Sequence, residues 1–563
     1  MAFQGYESGG EMHRVGLVGA AVIIVALVGA SPAAAAPPDV DSSRLERLVT
    51  VDGITDHQRA LQRIADRNGG TRATRTPGYT ASAAYVKATL ERAGYNVHYE
   101  MFNMPEWREN AAPVLRQVSP TGRTYVAGGA GDDDSPSVDI IAFEHTPTKA
   151  LTNVKVVPTD DVVIPSPGGT TSGCELSDFP AATSGAVSLI QRGTCTFTQK
   201  LENAVQAGAI GVILFNEGDT AARSNALFRA APFDYPLPAV ASSFAVGQEL
   251  YNAYKAGQNP TVDLATNGVD EQMLYPNVVA ETKRGDANHM VLLGAHLDSV
   301  TAGPGINDDG SGTAFQLELA EQLAKVGTPR NKIRFLWFGG EEDGLVGSQY
   351  YAAHLSDREV ARTDMMLDTD MIASPNFARL VYDGDGSTFG SENAGPEGSG
   401  TIERVLTGYW AKRGMVSEPI PFDGRSDYVG FINRGIPAGG VFAGAEALKT
   451  AEQVAKYGGV LGEQLDPCYH EDCDTYTTVT KQPPASTMET YAANPALAQQ
   501  QANSLRGNAL RSLHQFKNTL VHAVWYFACA KNAFPPKVNA ADATKAATNH
   551  RFKHQGHERP GDR

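Results

Sequence analysis

The chain has 563 residues, 42% hydrophobic and 20% charged, so it can bury a large core and is long enough for more than one domain. Its formal net charge of −16 argues against a nucleic-acid binder, because phosphate contacts need clustered Lys and Arg. There are five cysteines, an odd count, so at least one thiol is left over if the others pair.

The predicted elements begin with a targeting segment. Arg14 precedes an apolar run over 15–30, and small residues at 31–36 offer cleavage sites. The run is short and rich in Gly and Ala, which suits a secretory signal over 1–36 better than a membrane span. The expected destination is therefore extracellular, with no stable span after cleavage. No Cys lies near the cleavage region to take a lipid. Export permits disulfides. Cys174–Cys195 and Cys468–Cys473 are the expected bridges, and the second would fix the backbone around Tyr469 and His470. A thiolate zinc site is the weaker alternative, since nearby carboxylates make soft ligands unnecessary. Cys529, in an apolar C-terminal stretch, is expected to be a buried free thiol.

From about 39 to 102 the pattern reads helix, loop, helix, strand. Thr80 is the expected cap of a helix ending at Gly94, and 95–99 alternates like a strand. After a Gly/Asp/Ser stretch near 128–136 the character changes. Residues 137–268 read as a compact, mostly β insertion, with strands at 187–190 and 211–215 around a helix at 197–207. Regular α/β alternation resumes at 277: strand 291–293, helix 313–326, strand 333–338, a Gly-Gly turn, a helix to 354 and strand 365–367. That alternation predicts helices on both faces of a central sheet. Leu513, Phe516, Leu520, Val524 and Phe527 fall at helical spacing in a last helix that should pack on it. Residues 478–504 read as a surface insertion, and 536–563 as a polar, basic, disordered tail.

Five short motifs carry the chemistry: His296 in GAHLDSV, Asp308 in GINDDGSG, Glu341 and Glu342 in FGGEEDGLVGS, Asp370 in DTDMIASPN, and His470 in DPCYHEDC. Together they offer two imidazoles, three ligand carboxylates and a spare one, the outfit of a two-metal hydrolase. His296, the Glu pair and Asp370 each follow a short apolar strand, and ligands bind at the carboxyl ends of strands in α/β sheets. One histidine at a strand end is more often a hydrogen-bonded structural residue. Five such coincidences in one layout reverse that expectation.

With these motifs the chain resembles the M28 family of co-catalytic zinc aminopeptidases, in the secreted branch with an inserted protease-associated (PA) domain. The resemblance spans roughly 45–530. Stretch 185–218, containing VSLIQRGTCTFTQKLENAVQAGAIGVILFN, is similar to the PA module, whose Cys pair would match Cys174 and Cys195. The implied fold is an α/β class, three-layer α/β/α phosphorylase/hydrolase-like zinc exopeptidase domain with a mixed sheet. It would occupy 37–136 and 269–535, with the PA domain at 137–268.

The resemblance also implies roles. His296 and Asp370 would hold one zinc, Glu342 and His470 the other, and Asp308 would bridge them. Glu341 would be the general base, Asp298 would hold the second N–H of His296, and a cis peptide would follow Asp308. Tyr469 would hydrogen-bond the developing oxyanion. Arg425 in FDGRSDY would lie near the polar end of the substrate. Asp368 competes with Asp370, but the family motif places its ligand directly before Met-Ile. Asp309 and Asp343 read as solvated neighbours. The implied activity is removal of N-terminal, apolar residues from peptides or proteins. The alternatives are a carboxypeptidase or glutaminyl cyclase on the same scaffold, or a non-catalytic binding protein.

Overall fold

The computed structural model describes residues 40–129, 136–166, 168–220, 223–225, 236–531 and 533–534. The expected signal segment 1–36 and tail 536–563 lie outside the described residues.

The peptidase half is built on one mixed sheet. Strand Asp286–His296 runs at its centre, parallel to Asn331–Phe338 on one side and Thr363–Asp368 on the other. Ala438–Phe442 extends the parallel set, then Leu380–Tyr382 joins antiparallel. At the opposite side Thr261–Glu281 pairs antiparallel with Asn331–Phe338. The central strands are buried along both faces, which is why they read as continuous apolar runs instead of alternating ones. Within such a run alternate residues still part company. Val291 and Leu293 enter one core with Ile54, Val86, Phe315, Phe335, Trp337 and Phe516. Leu292 enters another with Leu336, Phe338, Tyr351, Tyr428 and Phe431. Helices therefore cover both faces, and the three-layer α/β/α architecture holds.

Two helix starts differ from expectation. The helix Pro77–Ala93 begins before Thr80, with Thr76 at its N-cap and Pro77 at N1, where a missing N–H costs nothing. Helix Gly310–Val326 begins before residue 313, because the Asp309 side chain accepts the Gly312 N–H. A Cβ at Gly312 would stand 1.8 Å from the Thr369 carbonyl oxygen, so the GSG of the motif lets this helix approach the chain directly before Asp370. The last helix, Asn508–Cys529, packs on the sheet as expected. Cys529 at its end is unpaired but half-buried, less enclosed than expected.

The inserted module continues the sheet beyond Thr261–Glu281, in the order Lys149–Pro158, Val187–Gln191, Gly211–Phe215, Ala239–Ser242, Ile140–Ala142. Helices Phe197–Gln206 and Phe244–Lys255 flank it over two apolar cores. The expected Cys174–Cys195 bridge is present. Module and peptidase half share a ribbon in place of a linker: Asn96–Ser119 pairs with Thr261–Glu281 from Asn96↔Glu281 to Ser119↔Thr261. Leu115 and Val262, at one end of the ribbon, belong to a module core, whereas Val278 at the other end belongs to the peptidase core.

Candidate active site

The register of the parallel strands brings their ends together: Phe338 lies opposite His296, and Asp368 opposite Gly294. The chain leaves the sheet on one side at all three strands. Asp308, Glu342, Asp370 and His470 meet His296 there.

His296 is 1% exposed. Its Nε2 lies 3.0 Å from Asp308 Oδ1 and 3.6 Å from Asp370 Oδ1. Its Nδ1 stands 3.2 Å from the backbone carbonyl of Asp298. A carbonyl only accepts, so Nδ1 carries hydrogen, and Nε2 is the ring atom that faces the carboxylates. The Asp298 carboxylate, expected to take this N–H, stands back at 3.6 Å. It is engaged elsewhere: Oδ2 accepts from Thr74 Oγ1 (2.9 Å) and Oδ1 from the Glu341 N–H (3.4 Å). Asp298 still orients the imidazole, through its main chain.

His470 repeats the arrangement from the other side. Its Nε2 is 3.3 Å from Asp308 Oδ2 and 3.1 Å from Glu342 Oε2. Each oxygen of Asp308 thus faces a different imidazole. The expected Cys468–Cys473 bridge closes the loop that holds His470, whose φ of 60° is one that few residues other than glycine adopt. Met371, directly after Asp370, is also left-handed, at φ 49°. The Asp308–Asp309 peptide is cis, as the resemblance implies.

Charge at this spot is uncompensated. Both oxygens of Glu342 and Oδ1 of Asp370 are buried without a hydrogen-bond partner; Glu342 Oε2 is near His470 but not along a hydrogen-bond direction. Burial resists charging of His470, yet the Glu342 and Asp308 carboxylates overcome it and push the imidazole up to about 11. His296 rises well above its usual range by the same balance of burial against Glu341, Asp298, Asp308 and Asp370. Burial and the neighbouring Asp370 push Asp368 up to about 8. Groups that crowd this way want a cation between them. His296 with Asp308 and Glu342, and His296 with Asp309 and Asp370, each converge closely enough to hold a metal ion. Imidazole and carboxylate are ligands that zinc accepts.

Glu341 is 2% exposed and shares with Asp308 and Asp370 the floor of a 130 Å³ cleft. Met371, Tyr382, Ile420, Pro421, Phe442 and Ala445 give this cleft apolar walls; Asp423, Arg425, Ser426, Tyr469 and His470 also line it. Arg425 donates to Glu446 (2.6 Å) and to the Tyr469 phenol oxygen (3.1 Å), and Tyr469 stacks on His470 at 3.8 Å. Arg425 is therefore both a salt-bridge partner and a residue of the cleft. Ser426 Oγ donates to Asp370 Oδ2 at 2.8 Å and so aims the other oxygen at His296.

Asp309 and Asp343 correct the reading of solvated neighbours. Asp309 is fully buried and accepts from the N–H groups of Gly312 (2.8 Å) and Met371 (3.2 Å), tying the helix start to the Asp370 loop. Asp343 is paired with Arg75. Further residues escaped the sequence reading altogether. Arg72, fully buried, donates to the carbonyls of Leu297, Pro304 and Gly305 and so shapes the loop between His296 and Asp308. Thr74 links Asp298 to the turn before Glu341, accepting from the Gly340 N–H at 2.7 Å. Asp474 accepts from the N–H groups of Asn307 (2.7 Å) and Asp308 (2.9 Å). Arg72 and Thr74 lie in TRATRTPG, which has no spacing that marks it; Asp474 had the single hint of standing beside Cys473.

Fold and site define an α/β protein whose strand ends gather imidazoles and carboxylates that could hold a metal, with a second domain inserted. The sequence profile of Peptidase family M28 matches residues 277–494, and that of the PA domain matches residues 156–250. An aminopeptidase of Pseudomonas aeruginosa is 42% identical over 439 residues, 78% of each chain. A probable leucine aminopeptidase 2 of Aspergillus fumigatus is 40% identical over 401 residues, 71% of this chain and 73% of that one. Among solved structures, BSAP, a zinc aminopeptidase from Bacillus subtilis, superposes with a TM-score of 0.56 at 21% identity, over 88% of this chain and 97% of that one, a likeness of fold. The chain belongs to peptidase family M28, with a PA domain inserted in the peptidase domain, and is an aminopeptidase.

Proposed function

We propose that the chain is a secreted, co-catalytic aminopeptidase that holds two zinc ions and removes apolar N-terminal residues from peptides. The observation that carries this reading is the pair of approaches to Asp308: His296 Nε2 at 3.0 Å from one oxygen and His470 Nε2 at 3.3 Å from the other. A carboxylate so placed suits a bridge between two ions, with Asp370 completing the His296 side and Glu342 the His470 side. The orphaned oxygens of Glu342 and Asp370 gain partners in that arrangement.

Bound zinc supplies Lewis acidity, polarising the scissile carbonyl and making water nucleophilic at neutral pH. Glu341, on the cleft floor beside Asp308, takes the proton from the attacking water and hands it to the leaving amine. Tyr469, its oxygen fixed by Arg425, lines the cleft to hydrogen-bond the oxyanion. Arg425 itself meets the polar part of the substrate beyond the scissile bond. The walls formed by Met371, Tyr382, Ile420 and Phe442 fit an aliphatic or aromatic side chain, in keeping with the leucine aminopeptidase relative. The signal-like 1–36 and two disulfides support export. We place the insertion at 137–268, between peptidase segments 37–136 and 269–535.

A carboxypeptidase would want a cluster of Arg for the free carboxylate, and among the described residues Arg425, paired with Glu446, is the one Arg lining the cleft. The test is hydrolysis of leucine p-nitroanilide before and after chelation, with zinc counted by elemental analysis. Two zinc per chain and chelator-sensitive release are expected. A chain that releases no p-nitroaniline with zinc bound, or whose release ignores the chelator, overturns the reading.

A further inference from the structure

Three loops that arrive from distant parts of the sequence carry Asp308, Asp370 and His470. The sheet alone does not set their spacing: Asp370 lies two residues past the strand Thr363–Asp368, but Asp308 lies twelve past Asp286–His296 and His470 twenty-eight past Ala438–Phe442. Asn307 stands where the three meet, 1% exposed. Its Nδ2 donates to Asp466 Oδ2 (2.6 Å), in the loop of His470, and to Ser374 Oγ (3.1 Å), in the loop of Asp370. Its Oδ1 accepts from the Ala373 N–H at 2.9 Å. Its own N–H donates to Asp474 at 2.7 Å. Every polar group of the side chain is thereby spent on the two other loops.

The chemistry of these partners leaves little choice of residue. Asp466 Oδ2 must receive a hydrogen, and its Oδ1 is already taken by the Cys468 N–H at 2.9 Å. The Ser374 hydroxyl gives its own hydrogen to the Gly444 carbonyl at 2.6 Å, so toward Asn307 it can only accept. The Ala373 N–H must meet an acceptor. Two donations and one acceptance from a short side chain is what a carboxamide offers. A carboxylate of the same shape could not donate, and would face Asp466 as a like charge in a buried site.

We propose that Asn307 is the positioning residue that holds the loops of Asp308, Asp370 and His470 at one spacing, and thereby sets how tightly the site retains its metal. This rests on the zinc reading above. Groups that orient ligands without touching the metal cost about 10–100-fold in affinity when they are lost.

The experiment compares the full-length enzyme with N307D, D466N and the double variant N307D/D466N. Zinc affinity is measured by competition with a chromophoric chelator, at a temperature where circular dichroism shows each protein folded. N307D is expected to weaken zinc about 10–100-fold. In N307D/D466N the carboxamide and carboxylate have changed places, so a donor again meets an acceptor across the same contact. At least a tenfold recovery over N307D is expected, with kcat/KM on leucine p-nitroanilide following and rising further on added zinc. Ser374→Ala removes one acceptor of Asn307 without adding charge, and is expected to weaken zinc about threefold even if N307D does not fold. Wild-type affinity in a folded N307D, no recovery in the double variant, or unchanged affinity in Ser374→Ala would each overturn the proposal. A wild-type chain that binds no zinc defeats the functional reading instead.

Discussion

Both halves of the molecule bury charge, but they treat it in opposite ways. In the inserted module Glu217 is fully buried, and its oxygens are met by the Thr170 N–H at 3.0 Å and by Arg223 at 2.5 Å. Lys200 there donates to the Ser172 carbonyl, and burial pushes its amine down to about 8. At the strand ends of the peptidase half, by contrast, carboxylates crowd around two imidazoles and several oxygens meet nothing. A buried charge closed by its own neighbours serves the fold. Charges that converge and remain open keep a place for something that is not protein.

Two substitutions test that contrast. Glu341→Gln removes the base while keeping the shape of the site. It is expected to lower kcat by about 10³-fold, roughly 4 kcal/mol in the barrier, with zinc content unchanged. Zinc lost from this variant would mean that Glu341 is a ligand and that its role has been exchanged with that of Glu342. Glu217→Gln in the module breaks a charge-assisted pair instead. It is expected to cost about 3 kcal/mol of stability, seen in denaturant unfolding, while kcat/KM on leucine p-nitroanilide stays within about twofold. A large catalytic effect from Glu217→Gln would show that the halves are coupled through their shared ribbon and that the contrast is too sharp.

Much of the molecule could be read before it was seen, and the residues show why. Apolar runs such as 291–293 and 333–338 have strand length and lie between turn signals, so the sheet and its helices were legible. His, Asp and Glu are residue types that can hold a metal, and strand ends gather them, so the convergence of these five side chains was legible too. What stayed hidden are residues whose value lies in a partner far along the chain. Arg72 serves carbonyls at 297–305, Thr74 bridges Asp298 and Gly340, and Asp474 clamps 307–308. Their residue types are ordinary at loop positions, and no local spacing distinguishes them. Asp309 was misread for a related reason: an acidic residue beside a motif is usually solvated, and only the fold shows that this one caps a buried helix.

One cluster in the peptidase half looks like a ligand set and offers the finest test of open against closed. His57, Glu318 and Glu321 converge closely enough to hold a metal ion. Yet Glu318 already accepts from the Thr50 N–H (3.1 Å) and Gln322 (3.2 Å), and His57 Nδ1 pairs with the Tyr85 hydroxyl at 2.7 Å. By the argument above this cluster is closed and serves the packing of helix Val51–Arg67 on Gly310–Val326. Burial pushes the His57 imidazole down to about 4, with Arg92 adding to the effect and Asp56 opposing it. The unfolded chain, with an ordinary imidazole, then binds more protons than the folded one between about pH 6.5 and 4. The stability from a neutral His57 is fully present above that window and is lost as pH falls through it, roughly 2 kcal/mol by pH 4.5. His57→Gln should flatten this slope of stability against pH, and the difference in slope between variant and wild type should be the same with and without added zinc, because the active site titrates alike in both. A difference that changes with zinc would place an ion between these helices, and would show that partnered carboxylates alone do not mark a site as closed.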